Sequence, residues 1–171
     1  MTLKNRNNIE SPWSGEFRFI TDASLAGLAR WLRITGYDTT VFDQEAGRNL
    51  LRMAEKESRI VLTRRRDMMD RQFSGTLFLI TDIDVGRQLK SVIEKYSLRI
   101  EKQEMFGICL ACNAKLHPVD REAVRDVVPS YVFENCLKYT QCPHCGKIYW
   151  MGTHPRNALR FMKKHIPNHL P

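Results

Sequence analysis

From Phe17 onward, short runs of β-branched and aromatic residues alternate with longer stretches whose apolar positions recur every three or four residues. "FRFIT" (17–21) predicts a strand, and "SLAGLARWLRITG" (24–36) predicts a helix with Leu25, Leu28, Ala29 and Leu32 on one face and Gly36 as its stop. The alternation continues with "TTVF" as a strand, "NLLRMAEKES" as a helix, "RIVLT" as a strand, a basic, methionine-bearing helix start, and "TLFLI" as a strand. "DVGRQLKSVIEKY" then puts Val85, Leu89, Val92, Ile93 and Tyr96 on one helical stripe.

Strands and helices alternating over short connections predict a parallel sheet with helices packed on both faces. That pattern runs through residues 16–102, after a polar, aperiodic stretch (1–15) that reads as a loose tail. "LRIEKQE" (98–104) is polar and reads either as a last strand or as a linker. A separate small module is expected over 103–155, where the cysteines fall, and a basic helix and tail over 156–171.

Charge narrows the partners. With 27 Lys and Arg against 19 Asp and Glu, a formal +8, the surface is expected to attract polyanions. No apolar run approaches the roughly 18 residues of a membrane span. "MTLKNRNNIESPWSG" lacks the apolar middle of a signal peptide, so a cytoplasmic protein without a membrane partner is expected. In that compartment five cysteines argue for metal binding, catalysis or plain burial rather than a disulfide framework.

The cysteine spacing decides among these. Cys109 and Cys112 form one C-x-x-C pair, Cys142 and Cys145 another, and each such knuckle aims two thiolates at one tetrahedral ion. A closed structural Zn²⁺ site is expected, with no open position for catalysis, in a small ribbon whose strands include "VVPSYVFENC" and "KIYW". Cys136 reads as a small buried hydrophobe or as a reactive thiol, and His144 lies inside a knuckle of a site that already has its four sulfurs.

In open parallel sheets ligands bind beyond the carboxyl ends of the strands. Three aspartates follow such ends: Asp22, Asp67 and Asp82. Converging carboxylates can hold Mg²⁺ or Mn²⁺ for phosphodiester hydrolysis, although each aspartate can equally be a helix N-cap. Arg30 and Arg33 share one side of the first helix and face either phosphates or water, while Trp31 reads as packing. Arg64, Arg65 and Arg66 crowd a turn where an anion would offset them.

Taken in order, "FRFITDASLAGLARWLRITGYDTTVF", "LLRMAEKESRIVLTR", "CLACNAKL" and "CPHCGKIYWMGTH" resemble the Mut-seven C-terminal RNase family, a PIN-like nuclease domain followed by a zinc ribbon. The resemblance covers about residues 16–155. It implies a metal-dependent (Mg or Mn) endoribonuclease acting on RNA without a small-molecule cofactor. Asp22 matches the family's first acid, Arg30 and Arg33 its helix arginines, and the four paired cysteines its ribbon ligands; His154 matches a family histidine and sits near the nuclease site or caps a turn.

Two positions depart from the family. Gly47 stands where an acid usually precedes the second helix, with Glu45 and Asp43 nearest, and Arg65 stands on the acid of the usual Leu-Thr-Arg-Asp, with Asp67 two residues later. Exchanging a carboxylate for a guanidinium changes local charge by two units, each worth about 4 kcal/mol at about 4 Å and an effective dielectric near 20. The alternative expectation is therefore a non-catalytic RNA-binding module that keeps the fold, with Arg64, Arg65 and Arg66 gripping phosphates. Tyr149 and Trp150 read as base-stacking or as the ribbon's core, and Arg156, Arg160, Lys163 and Lys164 as an RNA-facing or solvated helix face.

Overall fold

The computed structural model describes residues 17–171, so the stretch expected to be a tail lies outside the described residues. Four strands, β1 (Phe19–Asp22), β2 (Thr39–Phe42), β3 (Ile60–Thr63) and β4 (Leu77–Leu79), form a wholly parallel sheet in the order β2-β1-β3-β4. α1 (Ala26–Ile34) connects β1 to β2 on one side, and α2 (Arg48–Lys56) crosses back past β1 to β3 on the other. Right-handed crossovers in opposite directions put those helices on opposite faces. The α1 face buries Leu28 and Leu32 with Leu89, Val92 and Ile93 of α3 (Val85–Tyr96), whereas the α2 face buries Leu50, Leu51 and Ala54 on Ile20 and Val61. The expected α/β sheet with helices on both faces is therefore present.

Between β3 and β4 the expected helix is absent. A single 3-10 turn, Arg66–Met68, stands there, because Met68 is the segment's one buried residue and no apolar stripe exists to hold further turns. No strand forms over 98–104; Leu98 and Ile100 pack into the α1-side core from an irregular connection.

A second, antiparallel sheet holds β5 (His117–Val119), β6 (Tyr139–Gln141) and β7 (Ile148–Trp150) in the order β5-β6-β7, and β7 realises the predicted "KIYW" strand. The other predicted ribbon strand is instead a helix, α4 (Ser130–Asn135), reached from Pro129. Val124, Val128 and Val132 recur every fourth residue and are all buried with Tyr139, so helical spacing overrode the strand preference of valine and tyrosine.

The chain ends with α5 (Thr153–His165), which packs on α1 and α3 through Ala158 and Met162. Its Phe161 stacks on Trp31 with ring centres 4.0 Å apart and planes within 13°. His165 presses on Gly86 at the start of α3, where a Cβ would lie 2.2 Å from its Nδ1, so only glycine fits. Among the described residues no helix is long and apolar enough to cross a membrane.

Candidate active site and metal centre

The strand order reverses at β1, so a crevice opens between the carboxyl ends of β1 and β3, where such sheets bind ligands. Asp22 sits there, 5% exposed. Its Oδ1 accepts from the Ser24 N–H (2.9 Å) and the Ser24 hydroxyl, and its Oδ2 accepts from Thr63 Oγ1 at 3.0 Å. Thr63 Oγ1 in turn accepts from the backbone N–H of Arg65 at 3.1 Å. Asp22 thus caps a 3-10 turn, as its strand-end position allowed, and also links β1 to the turn after β3.

Arg65 spans the mouth of this crevice. Its Nη1 donates to the Ala46 carbonyl ahead of α2 (2.8 Å), while Nε and Nη2 donate to the two oxygens of Asp67 at 3.0 and 2.9 Å. Arg71, which the sequence did not single out, adds a third bond to Asp67 at 3.2 Å. Hydrogen bonds from Arg65 and then Arg71 hold the Asp67 carboxyl down at about 2. The Asp67 bonds raise the Arg65 pKa above its ordinary value, and the charges of Glu45 and Asp22 contribute in the same direction, which places Arg65 in the field of both acids.

As arranged, these acids do not fit a divalent ion held by three carboxylates. Asp67 has both oxygens on guanidinium groups. Asp82 is half-buried, with no side-chain partner among the described residues, and its carbonyl accepts from Gln88. Among the described residues the only group of three or more His, Cys, Asp or Glu side chains with ligand atoms gathered within 4.8 Å is the cysteine cluster. Asp43 and Glu45 are exposed, and Gly47 offers no side chain.

The arginines divide. Arg30, Arg64 and Arg66 are exposed, with no carboxylate partner among the described residues. Arg33 is 4% exposed and donates to the Thr39 carbonyl (2.9 Å) and the Leu110 carbonyl (2.7 Å). This corrects the expectation that it shares with Arg30 a helix side facing phosphates or water: burial lowers its pKa, and its guanidinium fastens α1 to the first cysteine knuckle.

Cys109, Cys112, Cys142 and Cys145 gather as their spacing predicted. Cys109 Sγ lies 3.6 Å from Cys145 Sγ, and Cys112 Sγ 3.4 Å from Cys142 Sγ. A tetrahedron with Zn–S near 2.3 Å has edges of roughly 3.8 Å, so four free thiols at these separations can close on a metal such as zinc. Burial pushes the Cys109 thiol up, but the Tyr149 hydroxyl and the N–H groups of Cys112 and Ala111 hold it down at about 6; burial pushes Cys112 up to about 12.

The two knuckles share one backbone form. Asn113 N–H donates to the Cys109 carbonyl and Gly146 N–H to the Cys142 carbonyl, both at 3.0 Å, and both residues have positive φ (66° and 72°). Asparagine tolerates that region, and here its side chain has a further role. Asn113 Oδ1 accepts from Thr39 N–H at 2.8 Å and its Nδ2 donates to Asp38, which also binds Arg59 (2.7 Å) and Arg18 (3.0 Å). No sequence expectation covered Asn113, although its match to Gly146 after each C-x-x-C marked a left-handed position. Cys136 is half-buried against the ribbon core, and His144 and His154 are exposed.

A family model for the Mut7-C RNAse domain matches residues 17–162. The chain belongs to the Mut7-C RNAse domain family. The human protein "Exonuclease mut-7 homolog" (Homo sapiens) is 29% identical over 118 residues, which is 66% of this chain and 14% of that protein. The chain therefore spans a small part of that relative's length, and no solved structure matches it. Family and relative together support a nuclease-like function. In this Mut7-C RNAse domain the parallel sheet carries Asp22 at its switch point, the four cysteines gather, and the crevice holds an arginine–aspartate pair.

Proposed function

We propose that this Mut7-C RNAse domain acts on RNA phosphodiesters as a ribonuclease, with the crevice between β1 and β3 as its site and a structural Zn²⁺ on the four cysteines. The observation that carries the reading is Asp22, a buried carboxylate at the switch point of a sheet whose family is a nuclease family. Arg30, Arg64 and Arg66 are the exposed cations available to phosphates, consistent with the +8 charge. Bound at the knuckles, zinc with four thiolates is coordinatively closed and stabilises the module instead of reacting. The expected Mg²⁺ or Mn²⁺ on Asp22, Asp67 and Asp82 does not fit the described arrangement, in which both Asp67 oxygens are taken by guanidinium groups.

One observation favours a second reading, an RNA-binding module that does not cleave. Arg65 occupies the place of an acid and neutralises the nearest replacement, Asp67. Labelled single-stranded RNA, incubated with the protein in Mn²⁺ or in EDTA, separates the two. Cleavage, in Mn²⁺ or in EDTA, that disappears in Asp22→Asn supports the ribonuclease, and salt-sensitive binding without cleavage supports the module. No binding even at low salt overturns both.

A further inference from the structure

A cavity of about 810 Å³ lies where the cysteine module, α1 and the start of α5 meet. Its walls are mainly apolar, with aromatic surface from Trp31, Phe106, Tyr149, Trp150 and Phe161. Lys138 and His154 also line it, and among the described residues no acidic one does. Several of the rings are held in place before any ligand arrives. Trp31 stacks on Phe161, Tyr149 Oη is bonded to Cys109 Sγ and to the Leu110 N–H (both 3.2 Å), and Trp150 lies so close to Gly152 that a Cβ there would come within 3.1 Å of its Nε1.

The mouth of this cavity leads onto a basic helix face. α5 begins at the cavity with His154, Pro155 and Asn157 and ends with His165 against Gly86, at the carboxyl edge of the parallel sheet where Asp22 and Arg65 lie. Along its outer side Arg156, Arg160, Lys163 and Lys164 are exposed, and none pairs with a carboxylate among the described residues. At 1.5 Å per residue the helix covers about 20 Å, the span of a few nucleotides. Positive charge along that path, joined to an aromatic cavity without acids among the described residues, suits a polyanion that carries flat apolar groups, and it disfavours a basic peptide.

We propose that the cavity accepts an unpaired base of single-stranded RNA, with α5 as the phosphate track between it and the crevice. The inference rests on the RNA reading given above and adds to it a base-binding site remote from Asp22. An unstacked base has two apolar faces for the aromatic walls and a polar edge for Thr140 and Asn157, both of which line the cavity. Duplex RNA keeps its bases inside the stack and is excluded.

The test compares a short oligouridylate with a ribose-phosphate oligomer of the same length and charge that lacks bases, by fluorescence anisotropy at fixed salt. The base-containing oligomer is expected to bind roughly tenfold more tightly. Met151→Glu, at an exposed position of the cavity mouth, is expected to reduce that preference, as is Trp31→Ala if it folds. Equal affinity of the wild-type protein for the two oligomers overturns the inference alone and leaves RNA binding at the crevice intact. Failure of both oligomers to bind at low salt overturns the inference together with the RNA reading.

Discussion

Arg65 and Asp67 form a two-pronged ion pair across the mouth of the switch-point crevice, Nε to Oδ1 at 3.0 Å and Nη2 to Oδ2 at 2.9 Å. Because Arg65 also donates to Ala46 ahead of α2, the pair ties the turn after β3 to the turn after β2. Those two turns are where the family resemblance places the missing acids. A cation takes the centre of a region otherwise suited to a divalent ion, and Asp67 faces that cation instead of joining Asp22.

The Asp67 carboxyl is expected to titrate near pH 2. Its folded-state pKa lies below the usual carboxylate value, so the pair's stabilisation is present above pH 4 or so and is lost as pH falls toward 2. Both side chains are substantially exposed, so the effect on overall stability is small. Carboxyl NMR titration checks this; Arg65→Gln should move the midpoint upward, with Arg71 preventing full return, and a wild-type midpoint near 4 would sink the pairing.

Reversing the charge should restore metal affinity. Arg65→Asp removes the guanidinium and supplies the family's acid at a position facing Asp22 and Glu45, so Mn²⁺ should bind at least roughly tenfold more tightly than to the wild type, given the size of the charge change. The same change should lower RNA affinity and reduce the salt slope by about 0.7 if Arg65 contacts one phosphate. Calorimetric Mn²⁺ titration and salt-dependent RNA binding measure the two effects, and unchanged Mn²⁺ affinity would count against the crevice as a remnant metal site.

Asp38 is 2% exposed and Arg59 7%, and their ion pair is shared with Asn113 on the first knuckle. Burial pushes the Asp38 carboxyl up, but hydrogen bonds from Arg59 and Asn113 outweigh it and hold the pKa below the usual range. Its contribution is therefore complete at neutral pH and lost on acidification through that lowered pKa. Asp38→Ala leaves Arg59 buried without its main partner and should cost about 3 to 5 kcal/mol, against about 1 to 3 for Asn113→Ala. Denaturant midpoints decide it, and an Asp38→Ala loss below about 1 kcal/mol would contradict the arrangement.

Removing metal should unfold more than the ribbon. The two knuckles gather two thiols each around one site, and the first is fastened to the α/β domain by Arg33 and Asn113. Thiol-reactive mercurial treatment should release zinc in near-equimolar amount and increase hydrogen exchange at Thr39 and in neighbouring β2 as well as in β6 and β7. Release without exchange at β2 would show the two parts to be independent. Because the thiols ionise on binding, apparent affinity should fall at acid pH.

Much of the architecture could be read from residue spacing. Period-3.6 stripes located α1, α2 and α3, β-branched runs located β1 to β4, and the paired C-x-x-C spacing located the cysteine cluster. Two elements were misread for local reasons. "VVPSYVFENC" has strand-forming side chains but valines at helical spacing, and the segment after β3 has helix-forming arginines and methionines without a stripe to bury. Side-chain partnerships were less legible: Arg30 and Arg33 share a helix side in sequence, yet Arg30 is exposed while Arg33, nearly one turn further along α1, is buried against the first cysteine knuckle.

The sequence alone determined the order of β1 to β4 and α1 to α3, the basic charge and the four-sulfur donor set, because periodicity, composition and C-x-x-C spacing are local properties. Only the tertiary structure decided which charges meet. Asp67 and Arg65 pair because the turn after β3 is too short of apolar residues to form a helix, and Asn113 reaches Asp38 because α1 and the knuckle pack together. Charge neutralisation depends on distances of a few ångströms, set by the backbone of the turn for Arg65 and Asp67 and by packing for residues far apart in the chain, and no spacing along the chain specifies those distances.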